Sequence, residues 1–366
     1  MPRLLVALAA IAAVLGATVA GAIPADGATN DPYFGRQWGL ERIQAEQAWQ
    51  TSTGGGALIA IVDSGVDLGH PDLDGKIPAS AGTEGDFIEP DGNCTGGGGN
   101  GNGKGKGSGK TKTCTQDGAQ DENGHGTHVA GIAAAETGNG VGVAGTARGA
   151  TLLPVRVLDE SGSGSAEQVA AGIRYATQKG ADVINLSLGF LSGVGTVVKV
   201  LGDLDPVYAA IDEAWAAGAV VVIAAGNDTF PMCAEPSAHP QVVCVGATDE
   251  NDLPAFYTNS DATLSSTFLY GPGGGGLTCS GDIFSTYLRS ASHSVCSPER
   301  GYEVLAGTSM ATPFVSGVAA LLAAQGLSNA AIVSCLASTA DDLGVPGRDP
   351  VYGYGRVNAH RAVTSC

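Results

Sequence analysis

The chain has 366 residues and a formal net charge of −18, with 43% hydrophobic and 15% charged residues. Glycine, at 57 residues, is about twice as common as usual, yet glycine and proline together stay below the share that marks low-complexity chains, and no Gly-X-Y period runs through them. Collagen-like and wholly disordered chains are therefore excluded, as is a broad nucleic-acid footprint, which needs clustered Lys and Arg.

In chain order, Arg3 is followed by an uncharged, Ala/Leu/Val-rich run from Leu4 to Ala25. Ala20-Gly21-Ala22 offers a small-x-small cleavage site, so residues 1–22 are expected to form a secretory signal peptide, with cleavage as late as residue 28. The alternative is a membrane anchor, which the many small residues make too weakly hydrophobic. Losing Arg3 with the leader takes the net charge from −18 to −19. The eight cysteines are even in number and lack a C-x-x-C spacing, which agrees with export. Pairing neighbours in sequence gives Cys94–Cys114, Cys233–Cys244, Cys279–Cys296 and Cys335–Cys366, one choice among 105.

Near-continuous apolar runs at Ala57–Val62, Leu152–Leu158, Val183–Leu188, Val220–Ala224 and Val242–Val245 predict buried strands. Between the second and third, Ser165 with Gln168 forms a capping box, and Gly180 closes a helix. Ala209–Ala217 and Thr312–Ala324 predict two more helices, the latter with Pro313 in its first turn. Strands alternating with helices imply a three-layer α/β fold, with a mostly parallel central sheet and helices on both faces. Ligand-binding residues then gather beyond the carboxyl ends of the strands. Insertions are expected at about 94–114, 190–205 and 263–300. The first carries Lys104, Lys106, Lys110 and Lys112 among nine glycines, and the last is expected to be a long surface loop.

Four sites at strand and helix ends carry chemistry. Ile61-Val62-Asp63-Ser64-Gly65 leaves the first strand with an acid, and Asn123-Gly124-His125-Gly126-Thr127-His128 sets two histidines among small residues. Ala224-Ala225-Gly226-Asn227 ends a strand with an amide, and Gly307-Thr308-Ser309-Met310-Ala311 puts a serine at a helix entrance. Each has a plainer reading alone: Asp63 as a turn cap, His125-x-x-His128 as part of a metal pair, Ser309 as an N-cap. Together they supply nucleophile, base, orienting acid and oxyanion donor for acyl transfer. The chain order Asp…His…Ser is one of the known triad orders. Gly140–Gly145 matches G-x-G-x-x-G but follows a helix, so a dinucleotide site is rejected.

These blocks resemble the subtilisin-like serine proteases, or subtilases, and most of all the thermitase-type members. The likeness runs from Asn30-Asp31-Pro32-Tyr33-Phe34 through Ile43-Gln44-Ala45, Ile132–Gly145, Ser161–Gly164 and Leu186–Gly189 to Gly355-Arg356-Val357-Asn358-Ala359. It implies a secreted, monomeric serine endopeptidase with Ser309 as nucleophile, His125 as base, Asp63 as its orienting acid and Asn227 as oxyanion donor. Gly162, Ser163, Gly164 and Ser187, Leu188, Gly189 would pair with an extended peptide substrate, and Ala224, Ala225 and Gly226 would line the first specificity pocket. The Cys233–Cys244 stretch, with Glu235, departs from the family pattern at that pocket's far wall. The resemblance also implies calcium, held by the side chains of Asp31, Asp72 and Asn139 and the carbonyls of Glu136, Val141 and Val143. Protein or peptide substrates are the expected partners, with no nucleic acid and no stable membrane association after signal cleavage. The family's inhibitory pro-domain finds no room between the signal and Asp31. The rival readings are a processing protease of restricted specificity and a catalytically silent binding protein on the same scaffold.

Overall fold

The computed structural model describes residues 29–78, 84–88, 118–189, 199–292, 294–297 and 299–366. The expected signal peptide and the Cys94–Cys114 loop lie outside the described residues. Six parallel strands form the central sheet: β1 (Leu58–Asp63), β2 (Thr151–Arg156), β4 (Val183–Leu186), β6 (Val220–Ala224), β7 (Val242–Thr248) and β8 (Thr267–Pro272), in the order β2-β1-β4-β6-β7-β8. In β1, Ile59 and Ile61 join one core while Ala60 and Val62 join the other; β6 divides the same way, Val220 and Val222 against Val221 and Ile223. A two-residue side-chain period with both faces apolar forces cover on both sides of the sheet.

On one face lie α1 (Trp38–Arg42), α2 (Ala45–Ala48), α3 (His125–Ala134), α6 (Thr308–Ala323), α7 (Asn329–Thr339) and α8 (Ala359–Ser365). On the other lie α4 (Ala166–Gln178) and α5 (Asp205–Ala216). Two small ladders complete the structure: β3 (Ser163–Ser165) runs parallel to β5 (Lys199–Leu201), and β9 (Ile283–Thr286) pairs antiparallel with β10 (Tyr302–Leu305).

The α4 capping box forms in both directions: Gln168 N donates to Ser165 Oγ at 3.2 Å, and Ser165 N donates to Gln168 Oε1 at 2.7 Å. Other expectations need correcting. The 263–300 segment is not simply a surface loop, because Phe268, Leu269 and Tyr270 are fully buried in β8. Their apolar run is short, and the Gly271-Pro272-Gly273 break after it hides the strand. Helix α5 begins at Asp205, with Pro206 in its first turn. Helix α6 begins at Thr308, which puts Pro313 in the second turn rather than the first. Pro313 has no N–H to give the carbonyl four residues back. That carbonyl belongs to Ser309, and Ser187 Oγ donates to it at 2.8 Å instead. The disulfides Cys233–Cys244, Cys279–Cys296 and Cys335–Cys366 form as expected.

Candidate active site

Asp63 is the last residue of β1 and is fully buried. His125 is the first residue of α3. Glycine permits the approach. A Cβ on Gly126 would lie 2.1 Å from the carbonyl oxygen of Gly65, so α3 can start against the end of β1 only with glycine there. Gly124 precedes the helix at φ 106°, and a Cβ there would strike the Tyr287 ring at 2.4 Å.

The contact thus made is short. His125 Nδ1 lies 2.7 Å from Asp63 Oδ1, which also accepts the N–H of Ser64 at 2.7 Å. Accepting at Asp63 fixes the proton on Nδ1 and leaves Nε2 as the free base. Burial pulls the imidazole pKa down, but the charge and hydrogen bond of Asp63, with Asp121 adding, outweigh it and leave His125 above its ordinary value. His128 is a different case. Its Nε2 lies 3.1 Å from the carbonyls of both Ile283 and Glu303, and burial pushes its pKa down to about 3. It is a neutral core histidine joining α3 to the β9–β10 hairpin, and it forms no metal pair with His125.

Ser309 is the second residue of α6, which packs against α3. Its hydroxyl donates to the Ser187 carbonyl at 3.0 Å and not to His125. Its own N–H, in the first turn, has no acceptor among the described residues. Asn227 follows β6, and its Oδ1 accepts both Thr308 N at 2.9 Å and Thr308 Oγ1 at 3.0 Å. Because the Thr308 N–H can only donate, the amide orientation is fixed and the Asn227 NH₂ is left for another acceptor.

Sequence reasoning missed the polar groups that hold these residues. Asn185 Nδ2 donates to Ser187 Oγ at 2.9 Å and Asn185 Oδ1 accepts Ser316 Oγ at 2.8 Å, which ties the end of β4 to α6. Asn185 is completely buried.

Ala224, Ala225 and Gly226 are buried against the 233–237 segment. Ser237 Oγ donates to the Ala224 carbonyl at 2.7 Å, and Ala234 N to the Ala225 carbonyl at 2.9 Å. Cys244 of β7 anchors this wall through Cys233. The Glu235 carboxylate is held at 2.8 Å by the Tyr208 hydroxyl of α5. Of the two expected peptide-binding edges, Gly162–Gly164 is already engaged. Ser163 N and O bond to Asp159, and Ser165 N bonds to Gln168. That leaves the Gly162 carbonyl and both backbone groups of Gly164 to make the ladder with β5.

The Subtilase family model matches residues 54–355. The chain belongs to the subtilase family. Thermitase of Thermoactinomyces vulgaris is 41% identical over 91% of this chain and 98% of its own length. A thermophilic serine proteinase of Bacillus sp. (strain AK1) is 37% identical over 92% of this chain and 69% of its own. A solved protease structure from Pseudoalteromonas arctica superposes with a TM-score of 0.73 at 31% identity, covering 92% of this chain and 99% of that one. By this membership the protein is a serine endopeptidase.

In this subtilase, Asn139 lies hydrogen-bonded to both Asp31 and Asp72. Asp31 Oδ1 accepts Asn139 N at 3.2 Å, and Asp72 Oδ1 accepts Asn139 Nδ2 at 3.1 Å. Asp72 Oδ2 also accepts Val143 N at 2.8 Å. No Lys or Arg pairs with either carboxylate among the described residues. Burial, then the nearby charge of Asp31, pushes the Asp72 pKa up to about 7 despite these donors. The Glu136 side chain lies 3.6 Å from Lys76. No helix of the described residues is long and apolar enough to cross a membrane.

Proposed function

We propose that the protein is a secreted endopeptidase that cleaves extended protein segments through an acyl-enzyme on Ser309. The observation that carries this reading is the Asp63–His125 bond at 2.7 Å; with it, the Ser309 N–H, unpaired among the described residues, and the Asn227 amide pinned by Thr308 are available as oxyanion donors. To react, the Ser309 hydroxyl would leave the Ser187 carbonyl and turn to His125 Nε2. Its oxygen attacks the substrate carbonyl carbon while Nε2 takes the proton. The oxyanion accepts from Asn227 Nδ2 and Ser309 N. Its collapse breaks the C–N bond, and His125 returns the proton to the leaving amine. A water activated by the same imidazole then hydrolyses the ester. Asp63 holds the imidazole in one tautomer and stabilises its cationic form.

The reading is tested by incubating the protein with a serine-directed fluorophosphonate and with a casein digest. Labelling confined to Ser309, with many cleaved sequences, supports it; an unlabelled Ser309 overturns it. A second reading, a processing protease of restricted specificity, is favoured by β5, which already pairs with the Gly162–Gly164 edge. One or two cleaved sequences in the digest, broadening when residues 190–201 are shortened, would choose it.

Calcium fits the donor set at Asp31, Asp72 and Asn139, since two buried carboxylates and an amide without an internal cation suit a hard divalent ion. Bound there, it would tie the segment around Asp31 to the 136–143 loop, whose carbonyls at Glu136, Val141 and Val143 are the further candidate ligands.

A further inference from the structure

We propose that Asp121 is a positioning residue of this site: one buried carboxylate that locks the end of β1 to the start of α3 and so fixes the Asp63–His125 pair. The inference rests on the reading of His125 as the base. Asp121 is 3% exposed and accepts five hydrogen bonds. Its Oδ1 takes Ser64 Oγ, Asn123 N and Gly124 N, each at 2.9 Å. Its Oδ2 takes Thr127 N at 3.0 Å and Thr127 Oγ1 at 2.6 Å. Ser64 is the neighbour of Asp63, while Gly124 and Thr127 bracket His125. The lock closes on itself, because Ser64 Oγ also accepts Gly126 N at 3.0 Å. It extends outward as well: Thr127 Oγ1 accepts Asp67 N at 2.9 Å, and Asp67 holds Arg289 through both carboxylate oxygens.

All five donors to Asp121 are neutral. The titratable groups that face this corner are Asp63 on β1, His128 on α3 and Tyr287 after β9, and no Lys or Arg bonds to Asp63 or Asp121 among the described residues. The charge of Asp121 is therefore unanswered by any cation except the imidazolium that forms on His125 during turnover. Geometry and charge thus act together: the hydrogen bonds aim the imidazole, and the charge favours its protonated form.

Two variants separate these actions. Asp121→Asn retains an oxygen for Ser64, Asn123 and Gly124 but removes the charge and opposes an NH₂ to the two donors of Thr127. Ser64→Ala keeps the charge and cuts the bridge to β1. For Asp121→Asn we expect a severalfold lower kcat at nearly constant KM, with the acid limb of the kcat profile moved to lower pH by roughly 0.3–1 unit. For Ser64→Ala we expect a severalfold lower kcat with the limb in place. Titration of the His125 imidazole N–H by proton NMR reads the same shift without turnover, so it stays informative if Ser309 proves not to be the nucleophile. An unmoved His125 titration in Asp121→Asn, or a wild-type kcat in Ser64→Ala, overturns the proposal. Should Asp121→Asn fail to fold, Ser64→Ala alone decides it.

Discussion

Asp63 and Asp121, around His125, and Asp31 and Asp72, beside the 136–143 loop, are two buried carboxylate pairs that one fold holds by different means. The first pair takes seven hydrogen bonds from the chain, one of them from the imidazole proposed to become a cation during the reaction. The second takes amide, hydroxyl and backbone donors, and no Lys or Arg among the described residues pairs with it. Burial raises a carboxylate pKa in each pair, that of Asp121 in the first and that of Asp72, up to about 7, in the second. A buried charge is tolerated only when it is hydrogen-bonded and answered by an opposite charge. On the proposed reading, the first pair is answered by the imidazolium formed on His125 during turnover, and the Asp31–Asp72 pair would be answered by a bound calcium ion.

The contrast can be broken most forcefully at the catalytic end. Ser309→Ala should lower kcat by roughly 10⁵–10⁶-fold, with the fold unchanged by circular dichroism. A loss under a hundredfold would place the nucleophile elsewhere. Asn227→Ala should cost roughly 10²–10³ in kcat at constant KM, because its amide meets charge only as the transition state forms. A rise in KM alone would make Asn227 a ground-state contact.

The other end predicts a stability effect and no kinetic step. Chelating calcium should lower the melting temperature by about 5–10 °C, and Asp72→Asn should remove most of that response. An identical melting temperature with and without chelator would leave the two carboxylates unexplained.

The smallest effect lies in the pH profile. Asp63 and Asp121 hold the His125 pKa above its ordinary value, so His125 stays protonated, and unable to accept the Ser309 proton, to higher pH than a free imidazole. The acid limb of kcat/KM for the free enzyme should therefore fall above the usual 6.5. A limb at or below 6.5 would mean the two carboxylates do not act on the base.

The candidate site residues were legible because acyl transfer and cation binding demand particular side chains at particular ends of strands and helices. The three-layer order of strands and helices falls where the sequence puts it, with Asp63 ending β1 and Ser309 opening α6. The supporting shell was not legible. Asp121 sits in an Asp-Glu-Asn-Gly stretch that passes for an ordinary turn, and its partner Ser64 is 57 residues away. The Asn185–Ser187–Ser316 chain likewise spans more than a hundred residues. Strand β8 was hidden because a three-residue apolar core followed by Gly-Pro-Gly carries no clear period. The β3–β5 ladder joins residues that local pattern cannot connect, so the engagement of the Gly162–Gly164 edge came only from the fold.

The most direct test of the account is rapid acid quench of the protein with a p-nitrophenyl ester, followed by mass mapping. It predicts a stoichiometric burst of nitrophenol and one acyl group on the peptide containing Ser309, both absent in Ser309→Ala. A burst that survives Ser309→Ala, or an adduct on any other residue, would contradict it.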